Sequence, residues 1–403
     1  VTYDVGALRA RFPALRAGTA HFDGPGGTQT PEPVIAAITD ALAGPLSIRG
    51  ATVPGEVNAE TAVREFRRAM ADLLGTEASG IVFGRSATQL TYDFARTLAA
   101  TWEPGDEVVV SRLDHDANIR PWVQAAERAG VVVRWADFDP ATGELPASAV
   151  GELLGERTRL VAVTAASNLI GTRPPVAEIA RLVHRAGALL YVDGVHHAAH
   201  DFVDVTELGA DFYVCSPYKF FGPHHGVLAA RADLLETLRP DKLLPSTDAV
   251  PERFELGTLP YEVLAGTRAA VDFLADLAPG AGEAVARRER LRAAFTAVDH
   301  HETGLRERLE SGLADLDGVT LHSRAADRTP TLLVTFDDRR PVDAYHFLGT
   351  LGVHAPAGSF YALEASRHLG LGETGGLRLG LSPYNDTSDV DRLLEGLADF
   401  LKS

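Results

Sequence analysis

From about residue 80 the chain alternates short apolar runs with longer stretches in which apolar side chains recur every three to four positions. That alternation predicts a parallel sheet covered by helices, since each parallel strand must be followed by a crossover long enough to return to the same edge. Strands are predicted near residues 80–84, 107–111, 131–137, 160–167, 189–194, 212–216 and 226–230. Helices are predicted between them at 88–100, 117–130 and 175–187, the last opening with proline and closing at glycine as helices tend to. Ahead of this block, Thr30 and Pro31 read as the cap of a helix running to about Leu42. A second helix, at 59–74, carries Val63, Phe66, Met70 and Leu74 on one face.

After the seventh run the pattern changes. A helix-rich stretch over 263–316 leads into a strand at 331–336, a helix at 342–351, a strand near 377–381 and a final helix from Ser388. The expected fold class is therefore α/β, with a large, mostly parallel seven-stranded domain and a smaller α+β C-terminal domain. The expected division is an N-terminal segment at 1–20 packing with the small domain, a large domain at 21–265, and linker helices with the small domain at 266–403. The glycine- and proline-rich stretch 277–282 reads as a loop within the linker.

Composition narrows the function. The 403 residues carry 45% hydrophobic and 23% charged side chains, an ordinary soluble globular balance. A formal net charge of -17 without a basic cluster argues against nucleic acid or an anionic membrane as the main partner. No apolar stretch is long enough to span a bilayer, and the first residues lack a basic segment followed by a hydrophobic one, so a cytoplasmic protein is expected. The single cysteine, Cys215, excludes an internal disulfide framework and reads as a buried strand residue.

Lysine is scarce. Only three occur, and Lys219 sits between aromatics at the end of the run Phe212-Tyr213-Val214-Cys215-Ser216-Pro217-Tyr218-Lys219-Phe220-Phe221-Gly222. Such a lysine either snorkels to water from a strand end or loses hydration, which lowers its pKa and frees the neutral amine that a Schiff base requires. In open α/β sheets ligands sit beyond the carboxyl ends of the strands. Polar residues there include Asp193 with His196 and His197, Ser167 with Asn168, and the Gly84-Arg85-Ser86-Ala87-Thr88 loop entering a helix, a place suited to a phosphate. A Schiff-base lysine, a carboxylate for a pyridinium nitrogen and a phosphate-binding helix start are together what pyridoxal phosphate needs.

The segment from Val192-Asp193-Gly194-Val195-His196 through Ser216-Pro217-Tyr218-Lys219 resembles the signature of class V aminotransferases, in the cysteine desulfurase branch. The resemblance runs from Phe22-Asp23-Gly24-Pro25-Gly26 to Arg378-Leu379-Gly380-Leu381-Ser382-Pro383. It implies the fold of the pyridoxal-phosphate enzymes of fold type I and a homodimer with sites shared across the interface. It implies that Lys219 holds pyridoxal 5'-phosphate as a Schiff base and moves protons at the substrate Cα, and that Asp193 pairs with the pyridine nitrogen. His196 and Asn168 would contact the phenolic oxygen, and His115 would stack on the ring. Ala87, Thr88 and Ser216 would form the phosphate cup, joined by Thr258 from the partner subunit. Arg378 would grip the substrate carboxylate with its planar fork.

One position departs from that pattern. Desulfurases of the branch carry a cysteine in the loop Ala357-Gly358-Ser359-Phe360-Tyr361-Ala362, and its position falls on Tyr361. Persulfide formation needs a thiolate, which a phenol does not replace. The expectation is a lyase that cleaves a carbon–sulfur bond in an S-substituted cysteine by β-elimination. An epimerase or aminotransferase using the same residues, with Tyr361 as a second acid, is the alternative. Other readings are a serine-lysine acyl enzyme at Ser216 and Lys219, a metal site among His196, His197, His200, His224 and His225, and a non-catalytic relative. His115, between two aspartates, also reads as a solvated histidine with a raised pKa, and Thr88 as a plain helix cap.

Overall fold

The seven predicted strands lie in one sheet. In chain order they are β1 (Ile81–Gly84), β2 (Glu107–Ser111), β3 (Val132–Ala136), β4 (Thr158–Thr164), β5 (Leu189–Asp193), β6 (Phe212–Cys215) and β7 (Gly226–Ala230), arranged β1-β7-β6-β5-β4-β2-β3. Only β7 runs against the others, pairing antiparallel with both β1 and β6. This computed structural model describes residues 3–277 and 285–403, so all of the 277–282 loop except Leu277 lies outside the described residues.

Strand side chains alternate between two cores, as the two-residue period of a strand requires. Val109, Val161, Val163, Leu190, Val192, Tyr213 and Cys215 face one core. Val108, Val110, Leu160, Ala162, Tyr191, Phe212 and Val214 face the other. Both faces are dry because helices cover each of them, which is why these strands read as continuous apolar runs. The first core is closed by the helices Pro54–Leu74 and Val176–Arg185, the second by Ala87–Ala99 and Arg120–Ala129.

A separate core belongs to the C-terminal region. There a four-stranded antiparallel sheet, in the order Ala357–Gly358, Gly376–Gly380, Thr331–Phe336, Val319–Leu321, packs on the helices Arg287–Ala314, Pro341–Thr350 and Thr387–Lys402. The N-terminal residues reach this region: Ala20–His21 pairs in parallel with Val353–His354, and Arg9 bonds Asp389 and the Tyr384 carbonyl.

Three local expectations are corrected. The 59–74 helix begins at Pro54, where the fixed φ of proline favours a first turn. The 117–130 helix is split into a 3-10 turn at Asp116–Asn118 and an α-helix from Arg120, restarted at Pro121, whose ring and missing N–H fit only a helix start. Thr30 caps nothing; the helix Glu32–Ala43 starts after Pro31 with no side-chain cap.

One contact fixes the position of the helix Ala87–Ala99 on the sheet. A Cβ on Gly226, the first residue of β7, would lie 2.3 Å from the Ser86 carbonyl carbon and 2.4 Å from the Ala87 nitrogen. Backbone cannot yield as a flexible side chain does. Gly226→Ala is expected to destabilise the protein by about 1–3 kcal/mol, the usual cost of overpacking. A thermal melt checks it, and an unchanged Tm would contradict so close an approach.

Candidate active site

The carboxyl ends of β1, β2, β4, β5 and β6 open onto one cavity of about 840 Å³, closed from the far side by Phe360, Tyr361 and Arg378 of the C-terminal region. Lys219, Asp193, His196, Asn168, His115, Ala87, Thr88, Ser216, Tyr361 and Arg378 all line it. Of the residues given a cofactor or substrate role by the family resemblance, Thr258 alone lies elsewhere, exposed on the surface after the turn at Glu252–Phe254.

Lys219 closes a 3-10 turn, Pro217–Lys219, that directly follows β6, with its N–H bonded to the Ser216 carbonyl. Its side chain is only 8% exposed and its Nζ donates to the Pro25 carbonyl. Burial, reinforced by Arg378, pushes the amine down to about 7, with Asp23 and Asp193 pulling the other way. A neutral nucleophilic amine is thus abundant near neutral pH. The snorkelling alternative does not hold.

Asp193 ends β5, and its Oδ1 accepts the Val195 N–H at 2.9 Å. Burial pushes its carboxyl up to about 6, opposed by that bond and by Lys219, so it stays largely ionised at neutral pH. His196 is buried with Nε2 2.9 Å from Thr329 Oγ1 and 3.0 Å from Thr331 Oγ1, while Nδ1 has no partner. Its pKa lies well below the usual value because of burial, then His200 and Lys219, so it is neutral. Asn168 donates from Nδ2 to the Phe360 carbonyl and leaves Oδ1 without a partner.

His115 is pushed down to about 4 by burial and by the positive charges of Lys219 and Arg378, which corrects the solvated reading with a raised pKa. Its Nδ1 accepts the Ala117 N–H at 3.0 Å, which leaves the ring proton on Nε2. Its ring also stacks on Tyr361, with centroids 5.6 Å apart.

The helix Ala87–Ala99 is capped by Ser86, whose side chain accepts the Gln89 N–H at 3.0 Å; the cap is therefore not Thr88. Helix geometry leaves the N–H groups of Ala87 and Thr88 without intrahelical partners, and both residues line the cavity. An amine that is half neutral, a carboxylate across from it, unused helix N–H donors, and the unpartnered His196 Nδ1 and Asn168 Oδ1 together fit pyridoxal phosphate.

Arg378, on the strand Gly376–Gly380, is 2% exposed, and an unpaired charge so deep would be costly. Its Nη2 lies 2.5 Å from Asp23 Oδ1, its Nη1 donates to the Asn168 carbonyl at 3.1 Å, and its guanidinium lies 3.7 Å from the Phe360 ring centre. The anionic partner that its apolar setting calls for is a carboxylate of the same chain. Phe360 and Tyr361 both have positive φ, 53° and 59°. They are pinned there by the Asn168 and Arg378 contacts and by the Asp116 N–H bonded to the Tyr361 carbonyl at 2.7 Å.

Sequence reading assigned no individual role to Asp23 or the two threonines on His196, and placed Ser86 and Phe360 only within loops expected near the phosphate and the substrate. Sequence signals existed for two of them: the glycines at 24 and 26 beside Asp23, which the structure shows have no room for a Cβ, and the position of Ser86 at a helix start. The histidines weighed as a metal site do not converge. His196 packs on His200, His200 bonds Glu302, His225 bonds Thr267 and His224 stacks on Tyr218. Among the described residues no group of three or more His, Cys, Asp or Glu is placed to hold a metal ion.

Comparison with known proteins agrees with this architecture. A probable cysteine desulfurase of Pseudomonas aeruginosa is 34% identical, over 96% of each chain. An aminotransferase-like protein, FGM3, of Gibberella zeae is 30% identical over 98% of each. The crystal structure of the cysteine desulfurase CsdA from Escherichia coli superposes with a TM-score of 0.88 at 26% identity, covering 100% of this chain and 99% of that one. The profile of the family described as aminotransferase class-V matches residues 20–393. The protein belongs to the class V aminotransferases, within the cysteine desulfurase-like group of pyridoxal-phosphate enzymes of fold type I.

Proposed function

We propose that the protein acts on an α-amino acid by removing its Cα proton and cleaves the carbon–sulfur bond of an S-substituted cysteine, without passing sulfur to a thiol of its own. The observation that carries this reading is the position of sulfur in the chain. The one cysteine, Cys215, is fully buried in β6 with its thiol pushed up by burial, and the residue over the cavity is Tyr361, 77% exposed. A thiolate that must attack substrate sulfur has no place here.

Pyridoxal phosphate supplies an electron-withdrawing pyridinium ring conjugated to the substrate nitrogen. The residues do the rest. Lys219 is the covalent attachment point, and its amine, once released, takes the Cα proton, a role its depressed pKa suits. Asp193 keeps the pyridine nitrogen protonated. His196 and Asn168, with Nδ1 and Oδ1 unpartnered, would serve the phenolic edge, Oδ1 as an acceptor of the phenolic O–H. His115 would pack against the ring as a neutral imidazole. Ser216 and the N–H groups of Ala87 and Thr88 hold the phosphate, with Thr258 of a second copy completing the cup. Arg378 binds the α-carboxylate. Exposed apolar side chains at Leu42, Ile48, Leu243 and Leu244, the last 97% exposed, support a homodimer.

Three outcomes are expected. Purified protein incubated with pyridoxal phosphate should gain a visible absorption band that borohydride abolishes. Lys219→Ala should lose the covalent species and about a hundredfold or more of the turnover. Because the Lys219 pKa is lowered to about 7, the rate of covalent cofactor uptake should rise with pH and level off just above 7. A lysine with an ordinary pKa would keep accelerating toward 10.

The reaction itself is tested by supplying S-substituted cysteines and assaying pyruvate and free thiol together. Equal amounts of both are expected, with Tyr361→Phe retaining most of the activity. Racemised amino acid without pyruvate would replace the lyase reading with the epimerase, and stoichiometric 2-oxo acid without thiol would replace it with the aminotransferase.

A further inference from the structure

One carboxylate in the cavity wall has no part in the chemistry above. Asp23 lies 2.5 Å from Arg378 Nη2, and its backbone bridges to Gly380, two residues beyond that arginine. Its carboxyl fills the space that a side chain at position 26 would need. A Cβ on Gly26 would lie 2.1 Å from Asp23 Oδ2 and 2.5 Å from the carboxyl carbon. Two residues on, the Pro25 carbonyl accepts the proton of Lys219 Nζ. The 23–26 loop thus sets a negative charge against the arginine and reaches from there to the lysine.

Resting on the reading of this cavity as an α-amino acid site, we propose that Asp23 is a specificity determinant that rejects carboxylates lacking an α-amino group. Arg378 is already neutralised. An incoming carboxylate either displaces Asp23 or shares the buried guanidinium with it, and both arrangements set two carboxylates against each other beside Arg378, although Asp23 is itself only partly buried. An α-amino acid carries its own remedy. With its carboxylate on Arg378 and its amine directed to the Lys219 end, the ammonium lies along the Asp23–Pro25 stretch and offsets the repulsion. A plain carboxylate has nothing to offer there, and specificity, as a difference between two affinities, follows from that penalty.

The test uses holoenzyme reduced with borohydride, in which the link between Lys219 and the cofactor is fixed and an added amine binds without exchange. Calorimetry then gives dissociation constants for L-alanine and for propionate. Wild type should prefer alanine. Asp23→Asn should bind propionate roughly tenfold tighter, about 1.4 kcal/mol, and alanine no tighter, whereas Asp23→Glu should keep the wild-type preference. Gly26→Ala, whose Cβ would take the carboxyl's place, should shift the ratio in the same direction as Asp23→Asn and serves where that variant does not fold. Propionate affinity that is unchanged or weaker in these variants would overturn the proposal. A wild-type protein that gains no chromophore before reduction would overturn the functional reading, and this inference with it. A chromophore with normal reduction but no change in preference would overturn the inference alone.

Discussion

Two cationic side chains, Lys219 and Arg378, are buried within reach of each other's charge, and the cavity is organised around that constraint. Like charges taken out of water cannot both persist without compensation. The two residues resolve the conflict differently. Lysine can surrender its proton, and its pKa falls to about 7. Arginine cannot, so it requires an anion, which Asp23 supplies, together with the Asn168 carbonyl and the face of the Phe360 ring. The neutral imidazoles of His115 and His196 are products of the same field, each held below its usual pKa by burial and by these two charges.

The fold makes this concentration of charge possible because three parts of the chain converge on it. The large sheet delivers Asp193 and Lys219 at the ends of adjacent strands, each positioned by backbone bonds rather than by flexible side-chain contacts. The C-terminal sheet brings Arg378 from the opposite side. The N-terminal segment threads between them, with Asp23 bridged to Gly380 and the Thr28 N–H bonded to the Tyr218 carbonyl. Loss of the N-terminal contribution would leave Arg378 buried without its carboxylate, so the site and the packing of its parts stabilise one another.

What could be read from sequence follows from this geometry. Strand ends were legible because continuous apolar runs stop where the sheet stops, and Lys219 was legible because a lysine between aromatics is rare in a chain that has only three. The pairing of Arg378 with Asp23 spans 355 positions, and no local pattern encodes it. Only the cost of an unpaired buried arginine pointed to some anion, without saying which. The two threonines that hold His196 Nε2, Thr331 at the start of a strand of the other sheet and Thr329 just before it, lie more than 130 positions away. At Thr88 local reasoning failed more simply. Two hydroxyls lie two residues apart at a helix start, and the one with extended backbone, Ser86, takes the cap.

The loop over the cavity bears on how sulfur could leave. Phe360 and Tyr361 are successive bulky residues with positive φ, a backbone state that costs about 1–3 kcal/mol at each position. Such a state persists only when its surroundings over-determine it. Here three contacts do so: Asn168 and Asp116 hold the two carbonyls, and the Arg378 guanidinium holds the Phe360 ring. A loop that carries sulfur from a cavity to an outside acceptor has to swing away from the site, and here that motion would break the contacts of Asn168 and Arg378 with Phe360. On the reading proposed above, a loop bearing a phenol rather than a thiol has no cargo to deliver, so pinning it carries no functional cost. On the same reading Tyr361 and the pinned loop belong together: the loop acts as a wall of the cavity, and the products of a carbon–sulfur cleavage leave by diffusion.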